Sequence, residues 1–155
     1  MEDCKAAVVA LISKAGKVLI IKRKEKPGDP WSGHMALPGG RREDHEECES
    51  TAVRECYEEV RIKPQNLIRV GIYSPNNAPD MKVSAYISCV EEELEPIVQE
   101  EELEKAIWVK ISDLKPADRA FYYENYRIWG MTYRILNDII QKKLYLVCQS
   151  GNNSS

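Results

Sequence analysis

Residues 37–62, LPGGRREDHEECESTAVRECYEEVRI, constrain this chain more than any other stretch. A Pro-Gly-Gly turn passes into a run dense in carboxylates. Glu55, Glu58 and Glu59 stand at i, i+3 and i+4, offsets that place side chains on one face of a helix, one turn apart. Ala52, Cys56 and Val60 repeat at i+4 on the other face, flanked by Val53 and Tyr57, and that face is expected to pack on a sheet. Like charges so placed repel by roughly 0.2–0.5 kcal/mol per pair. A divalent cation would offset this, and Mg²⁺ takes carboxylate oxygens, keeps several waters and bridges to phosphates. Arg54 reaches Glu58 at i+4 and would hold that carboxylate in place. A solvated acidic face laced with salt bridges accounts for the same helix residues taken alone.

The loop before the helix separates these readings. Gly39 and Gly40 carry no Cβ, so their backbone can approach a ligand or metal closely. From Gly40 the pattern runs five residues to Glu46 and seven more to Arg54-Glu55-Cys56-Tyr57-Glu58-Glu59-Val60-Arg61-Ile62. This resembles the Nudix box of the Nudix hydrolases, G-x5-E-x7-R-E-U-x-E-E-x-G-U, where U is bulky and apolar. The Gly, the first Glu and the Arg-Glu and Glu-Glu pairs match in spacing. Cys56 fills an apolar slot, as a small hydrophobe can. Arg61 replaces the glycine that ends the helix, a position that favours a left-handed conformation and costs a non-Gly residue about 1 kcal/mol.

The resemblance implies a fold, a Nudix α/β/α sandwich with a mixed sheet between the box helix and a C-terminal helix; periodicity alone supports only α/β or α+β. It also implies Mg²⁺-dependent hydrolysis of a diphosphate linkage, with Mn²⁺ as a substitute ion. Glu55, Glu58 and Glu59 would hold the metal, with the Gly39 carbonyl facing it. Bound Mg²⁺ would neutralise the diphosphate and lower the pKa of an attacking water. Glu58, or one of Glu101, Glu102 and Glu104 in the later acidic loop, would be the general base. Glu46 and Arg54 would orient the helix carboxylates, and Arg23 at a strand end would meet substrate phosphate.

The implied substrate is a small-molecule nucleoside diphosphate derivative. WSGHMALPGG, residues 31–40, partly resembles the coenzyme A diphosphatase subgroup, with Trp31 and Leu37 in place of its His and Phe. YRIWGMTYRIL, residues 126–136, resembles a segment near that subgroup's C-terminus. A coenzyme A-type substrate is therefore the first expectation. Lys22, Arg23, Lys24, Arg41 and Arg42 would meet its extra phosphate, and Trp31 or Tyr126 would stack its adenine. Hydrolysis of a nucleotide sugar, ADP-ribose or an oxidised nucleotide is the alternative, and a non-catalytic Nudix-fold binding module is an alternative of another class.

The rest of the chain fits one domain, residues 1–148, with a polar tail at 149–155 that reads as disordered. A net charge of −3 argues against broad nucleic-acid binding. No apolar run approaches a membrane span, and the acidic N-terminus reads as a strand rather than a signal peptide. Five cysteines without a C-x-x-C imply neither a disulfide framework nor a zinc site, so a cytoplasmic location is expected. Strands are expected at 5–13, 17–23, 67–74, 82–90 and 106–111, and a helical stripe of Trp129, Thr132, Tyr133, Leu136, Ile139 and Ile140 near the end. The oligomeric state is open, a homodimer included.

Overall fold

The computed structural model describes residues 4–29 and 32–149. Trp31 and residues 150–155, on which a stacking role and a disordered tail were expected, lie outside them. The chain opens with β1 (Ala6–Ser13) and β2 (Lys17–Arg23), joined at a turn where Gly16 takes φ 85°. Two short strands follow, β3 (Met35–Ala36) and β4 (Gly39–Arg41), and then the helix α1 (Cys48–Val60). Next come β5 (Ile68–Tyr73), β6 (Val83–Val90) and β7 (Leu103–Lys110). A small meander of β8 (Lys115–Ala117), β9 (Ala120–Tyr123) and β10 (Tyr126–Trp129) leads into α2 (Gly130–Gln141).

β1 is almost wholly buried, which suits a strand covered on both faces. It runs parallel to β6 along its whole length, from Ala6↔Val83 to Ser13↔Val90. On its other edge it meets β2 at Ile12↔Val18, while its first half pairs with β4 instead, Ala6↔Arg41 to Val8↔Gly39. β2 turns to β7 and β3. The first two strands therefore part after their shared turn, and the strands flanking the Pro-Gly-Gly turn line the gap.

Side-chain alternation along β1 sorts the core into two layers. Ala7, Val9 and Leu11 pack with Cys48, Ala52, Cys56 and Val60 of α1. Ala10 and Ile12 pack with Ile135, Leu136 and Ile139 of α2. A mixed sheet between the box helix and the C-terminal helix is the α/β/α sandwich that the resemblance implied. α1 ends as expected: Arg61 takes φ 61° and ψ 29°, and its N–H donates to the Tyr57 carbonyl.

Three expectations are corrected. Tyr57 does not join the packed face of α1; it is exposed, with the Arg61 guanidinium over its ring at 5.1 Å. Trp129 is not part of the α2 stripe, because it precedes the helix in extended conformation and is 40% exposed. The cysteines are paired: Cys4 with Cys48 and Cys89 with Cys148. The sheet carries residue 4 under the start of α1 and residue 148 onto β6, proximities that sequence spacing cannot display. Cys56 alone stays a free thiol, buried and pushed up to about 12 by that burial.

Candidate active site

The site is built where β4 passes the acidic face of α1. Gly39 N–H donates to Glu59 Oε1 at 3.0 Å, so the turn and the helix are joined through a carboxylate. A Cβ on Gly39 would lie 2.2 Å from the Ala7 carbonyl oxygen, so the β1–β4 pairing needs glycine here. Glu59 is 5% exposed and burial pushes its carboxyl up to about 8, with Glu55 adding to the rise. Glu55 is raised as well, first by burial and then by neighbouring Glu58, against the pull of Arg54. Glu58 lies at the rim, with its side chain 47% exposed.

Arg54 organises this face: it reaches Glu58 as expected, but its stronger partner is Glu46. Its Nε and Nη2 donate to the two oxygens of Glu46 at 2.7 and 3.0 Å, a bidentate pair that fixes the guanidinium plane. The pairing holds the Glu46 carboxyl down to about 2. From that anchor Nη1 reaches Glu55 at 3.1 Å and, more weakly, Glu58 at 3.4 Å. Glu46 is itself seated by the Glu43 N–H and the Thr51 hydroxyl.

The acidic loop before β7 docks on the end of α1. Ile97 and Gln99 donate their N–H groups to the Val60 and Glu59 carbonyls. The three candidate carboxylates are thereby separated, Glu101 and Glu102 in the loop and Glu104 already in β7. Glu102 is close enough to Glu59 to raise its pKa, and it pairs with Lys26 at 3.1 Å. Glu104 is drawn off to Lys22 at 2.8 Å, and Glu101 is exposed.

On the substrate side a cavity of about 390 Å³ opens beside Gly39, Gly40 and Arg41. Val8, Met35, Leu37, Met81, Val83 and Met131 give it an apolar lining. Arg23 projects into it, held by Asp29 at 3.1 Å, and the buried Arg23 Nε has no hydrogen-bond partner. At the far wall Trp129 meets His34 edge to face, ring centroids 4.9 Å apart. Burial, and then nearby Arg23, lower the pKa of His34.

Two expected substrate contacts fall elsewhere. Tyr126 receives Lys105 at its hydroxyl and does not line the cavity. Alternation along β10 points Tyr126 and the buried Ile128 one way and Trp129 the other. Arg42 spends its guanidinium on the carbonyls of Cys4 and Glu46, at 2.8 and 3.0 Å, and so braces the loop instead of facing substrate. Lys22 and Lys24 are likewise occupied by Glu104 and the Glu100 carbonyl, which leaves Arg23 and Arg41 as the arginines of the cavity. Sequence reasoning missed Trp129, His34 and Asn76 as lining residues. The signal for the first was present: a Trp directly before Gly130 sits at a strand-to-helix junction, not inside a stripe.

The residues fit a divalent cation. Glu55 and Glu59 are partly to largely buried acids, both raised first by burial, with Glu55 adding to the rise of Glu59 and Glu58 to that of Glu55, a concentration of charge that a cation relieves. Among the described residues no three His, Cys, Asp or Glu side chains cage an ion by themselves.

Residues 3–128 match the model of the NUDIX domain family. An ADP-ribose pyrophosphatase of Methanocaldococcus jannaschii is 42% identical over 74 residues, 47% of this chain and 42% of that protein. The chain therefore spans less than half of that relative's length. A MutT/nudix family protein from Enterococcus faecalis superposes with TM-score 0.72 at 18% identity, covering 93% of this chain and 63% of that one. The NUDIX domain of Shewanella oneidensis NrtR, complexed with ADP ribose, gives TM-score 0.70 at 14% identity over 92% of this chain and 90% of that one. With the box carboxylates, the sandwich and the family match in agreement, this chain belongs to the Nudix family.

Proposed function

We propose that the protein is a Mg²⁺-dependent hydrolase of the diphosphate linkage in a nucleoside diphosphate derivative. The observation that carries this reading is the adjacency of Glu55 and Glu59 to the Gly39–Gly40 edge of a cavity that also holds Arg23 and Trp129. Glu55, Glu58 and Glu59, with the Gly39 carbonyl, would hold the ion. When bound, it neutralises the diphosphate and supplies an acidified water.

The chain's own residues do the rest. Arg54, locked by Glu46, keeps Glu55 and Glu58 from turning away. Arg23, which lines the cavity, offers its guanidinium to a phosphate oxygen. Glu102, the loop carboxylate that senses Glu59, takes the proton of the attacking water. Lys26 pairs with Glu102 and steadies its position for that role. Trp129 stacks a base, with the His34 ring against it edge to face.

For substrate, the geometry favours an ADP-ribose-like molecule. The cavity is at the small end of ligand sites, roughly 300–1,000 Å³, and takes one nucleoside-sized group. The match to a protein named ADP-ribose pyrophosphatase points the same way. Coenzyme A is the second reading. The apolar lining of Met35, Leu37, Val83 and Met131 suits a pantetheine arm, but three of the five cations expected at its 3′-phosphate are engaged elsewhere.

No helix of the described residues is long and apolar enough to cross a membrane. A cytoplasmic location belongs to this reading, although the two cystines remove the support that unpaired cysteines would have given it. A homodimer is compatible with it.

The test compares kcat/KM with Mg²⁺ for ADP-ribose, coenzyme A, dephospho-coenzyme A and a nucleoside triphosphate, with products read by phosphorus NMR. Preference for ADP-ribose supports the first reading, and preference for coenzyme A over both ADP-ribose and dephospho-coenzyme A supports the second. Binding without turnover of any of them would make the chain a binding module.

A further inference from the structure

One wall of the cavity is a loop, residues 74–81, with no regular structure of its own. Two tight turns shape it, Ala78 N–H to the Pro75 carbonyl and Met81 N–H to the Ala78 carbonyl. Pro75, Asn76, Asn77 and Met81 line the cavity, and both asparagines are exposed. One side chain outside the cavity holds this loop. Arg134, on the second turn of α2, donates through Nη2 to the Ser74 carbonyl and to Asn76 Oδ1, the latter at 3.2 Å. One turn further on, Asp138 accepts from the Tyr73 hydroxyl at 2.5 Å and ties α2 to the strand that feeds the loop.

The Arg134–Asn76 contact has a chemical polarity. A guanidinium can only donate, so the asparagine must turn its carbonyl oxygen toward it. The Asn76 amide nitrogen, with two N–H donors, is what remains for a ligand. We propose that Arg134 is a positioning residue for specificity: it fixes the 74–77 wall of the cavity that Trp129 also lines and sets Asn76 to donate to the ligand. The group selected has a flat face for Trp129 and a hydrogen-bond acceptor on its edge, which describes a heteroaromatic base. This rests on the nucleoside reading of the cavity proposed above.

Titration calorimetry with AMP and ribose 5-phosphate tests it without relying on turnover. Wild type is expected to bind AMP more tightly than ribose 5-phosphate. Arg134→Met, which keeps the apolar stem, should weaken AMP by about tenfold, the worth of one hydrogen bond with its loop order, and leave ribose 5-phosphate unchanged. Asn76→Asp, at an exposed loop position, replaces the donor with an acceptor and should do the same. The double variant should be no worse than the weaker single variant. Equal weakening of both ligands, or unchanged AMP binding in both variants, overturns the role of Arg134 while the nucleoside reading stands. If wild type does not prefer AMP, the nucleoside reading fails and this inference fails with it.

Discussion

Glu55 occupies the space that a side chain on Gly40 would need: a Cβ placed there lies 2.4 Å from Glu55 Cδ and 2.6 Å from its Oε2. The first residue of the motif and a carboxylate fifteen positions later are thus parts of one fit. The clashing atoms belong to the tip of a flexible side chain, so Gly40→Ala should fold, with the Glu55 carboxylate displaced. A displacement of about 1 Å predicts a loss on the order of 100-fold in kcat with a melting temperature close to wild type. Gly39→Ala meets backbone instead, Ala7 O at 2.2 Å and Val8 Cα at 2.6 Å, and should cost about 1–3 kcal/mol of stability. A Gly40→Ala protein with full activity would detach Glu55 from the chemistry.

Glu58 stands at the exposed rim of the carboxylate face, with Arg54 Nη1 3.4 Å away. Glu58→Gln keeps the shape and removes a charge. The expected outcome is a loss of at least about 100-fold in kcat with an unchanged circular dichroism spectrum. Near-normal turnover would return the helix to a solvated acidic face.

What the sequence displayed and what it hid divide by range. The box helix, the left-handed Arg61 and five of the longer strands follow from local chemistry: period, turn glycines and a helix-ending position. β3 and β4 are too short to carry a period, and they exist only because β1 and β2 part and leave edges to be paired. The meander of β8 to β10 was hidden among tyrosines that read equally well as core or as wall. The cystines and the approach of Glu102, rather than Glu101 or Glu104, to Glu59 depend on which segments meet in space. Glu46 was legible as a motif residue, but its bidentate grip on Arg54 was not, because i+4 spacing pointed to Glu58.

That grip has a pH signature. Hydrogen bonds from Arg54 lower the Glu46 pKa from 4.5 to about 2 in the folded protein. A depressed carboxylate stabilises fully above its unfolded pKa and loses that contribution as pH falls through the folded one. The difference in melting temperature between wild type and Glu46→Gln should be constant above about pH 5 and shrink between pH 4.5 and 2. A difference that does not change over that window would show that the pair contributes nothing to folding.

Arg61 is held at φ 61° where the family motif has glycine. Removing the left-handed strain gains about 1 kcal/mol, and losing the guanidinium over Tyr57 forfeits about 0.5 kcal/mol at an exposed site. Arg61→Gly should therefore leave the melting temperature level or slightly higher. A clear fall would mean that the contact with Tyr57 outweighs the strain.

The two cystines should differ in both accessibility and consequence. Closing loops of 44 and 59 residues, each contributes about 4 kcal/mol by the loop-entropy relation. Cys89 is exposed, whereas Cys4 and Cys48 are each 1% exposed. Graded reductant followed by alkylation and mass spectrometry should therefore label Cys89 and Cys148 first. Cys89 lies beside Ile12 at the end of the sheet far from the cavity, whose lining includes Ala6 and Val83. Opening that bond should leave kcat unchanged. Cys48 is the first residue of α1, and Arg42 joins the Cys4 carbonyl to the Glu46 carbonyl. Opening Cys4–Cys48, or making Cys4→Ser, should therefore loosen the Glu46–Arg54 anchor and lower kcat as well as stability. If the labelling order is reversed, or if Cys4→Ser loses stability with kcat intact, the first cystine is a staple for the fold and not a support for the site.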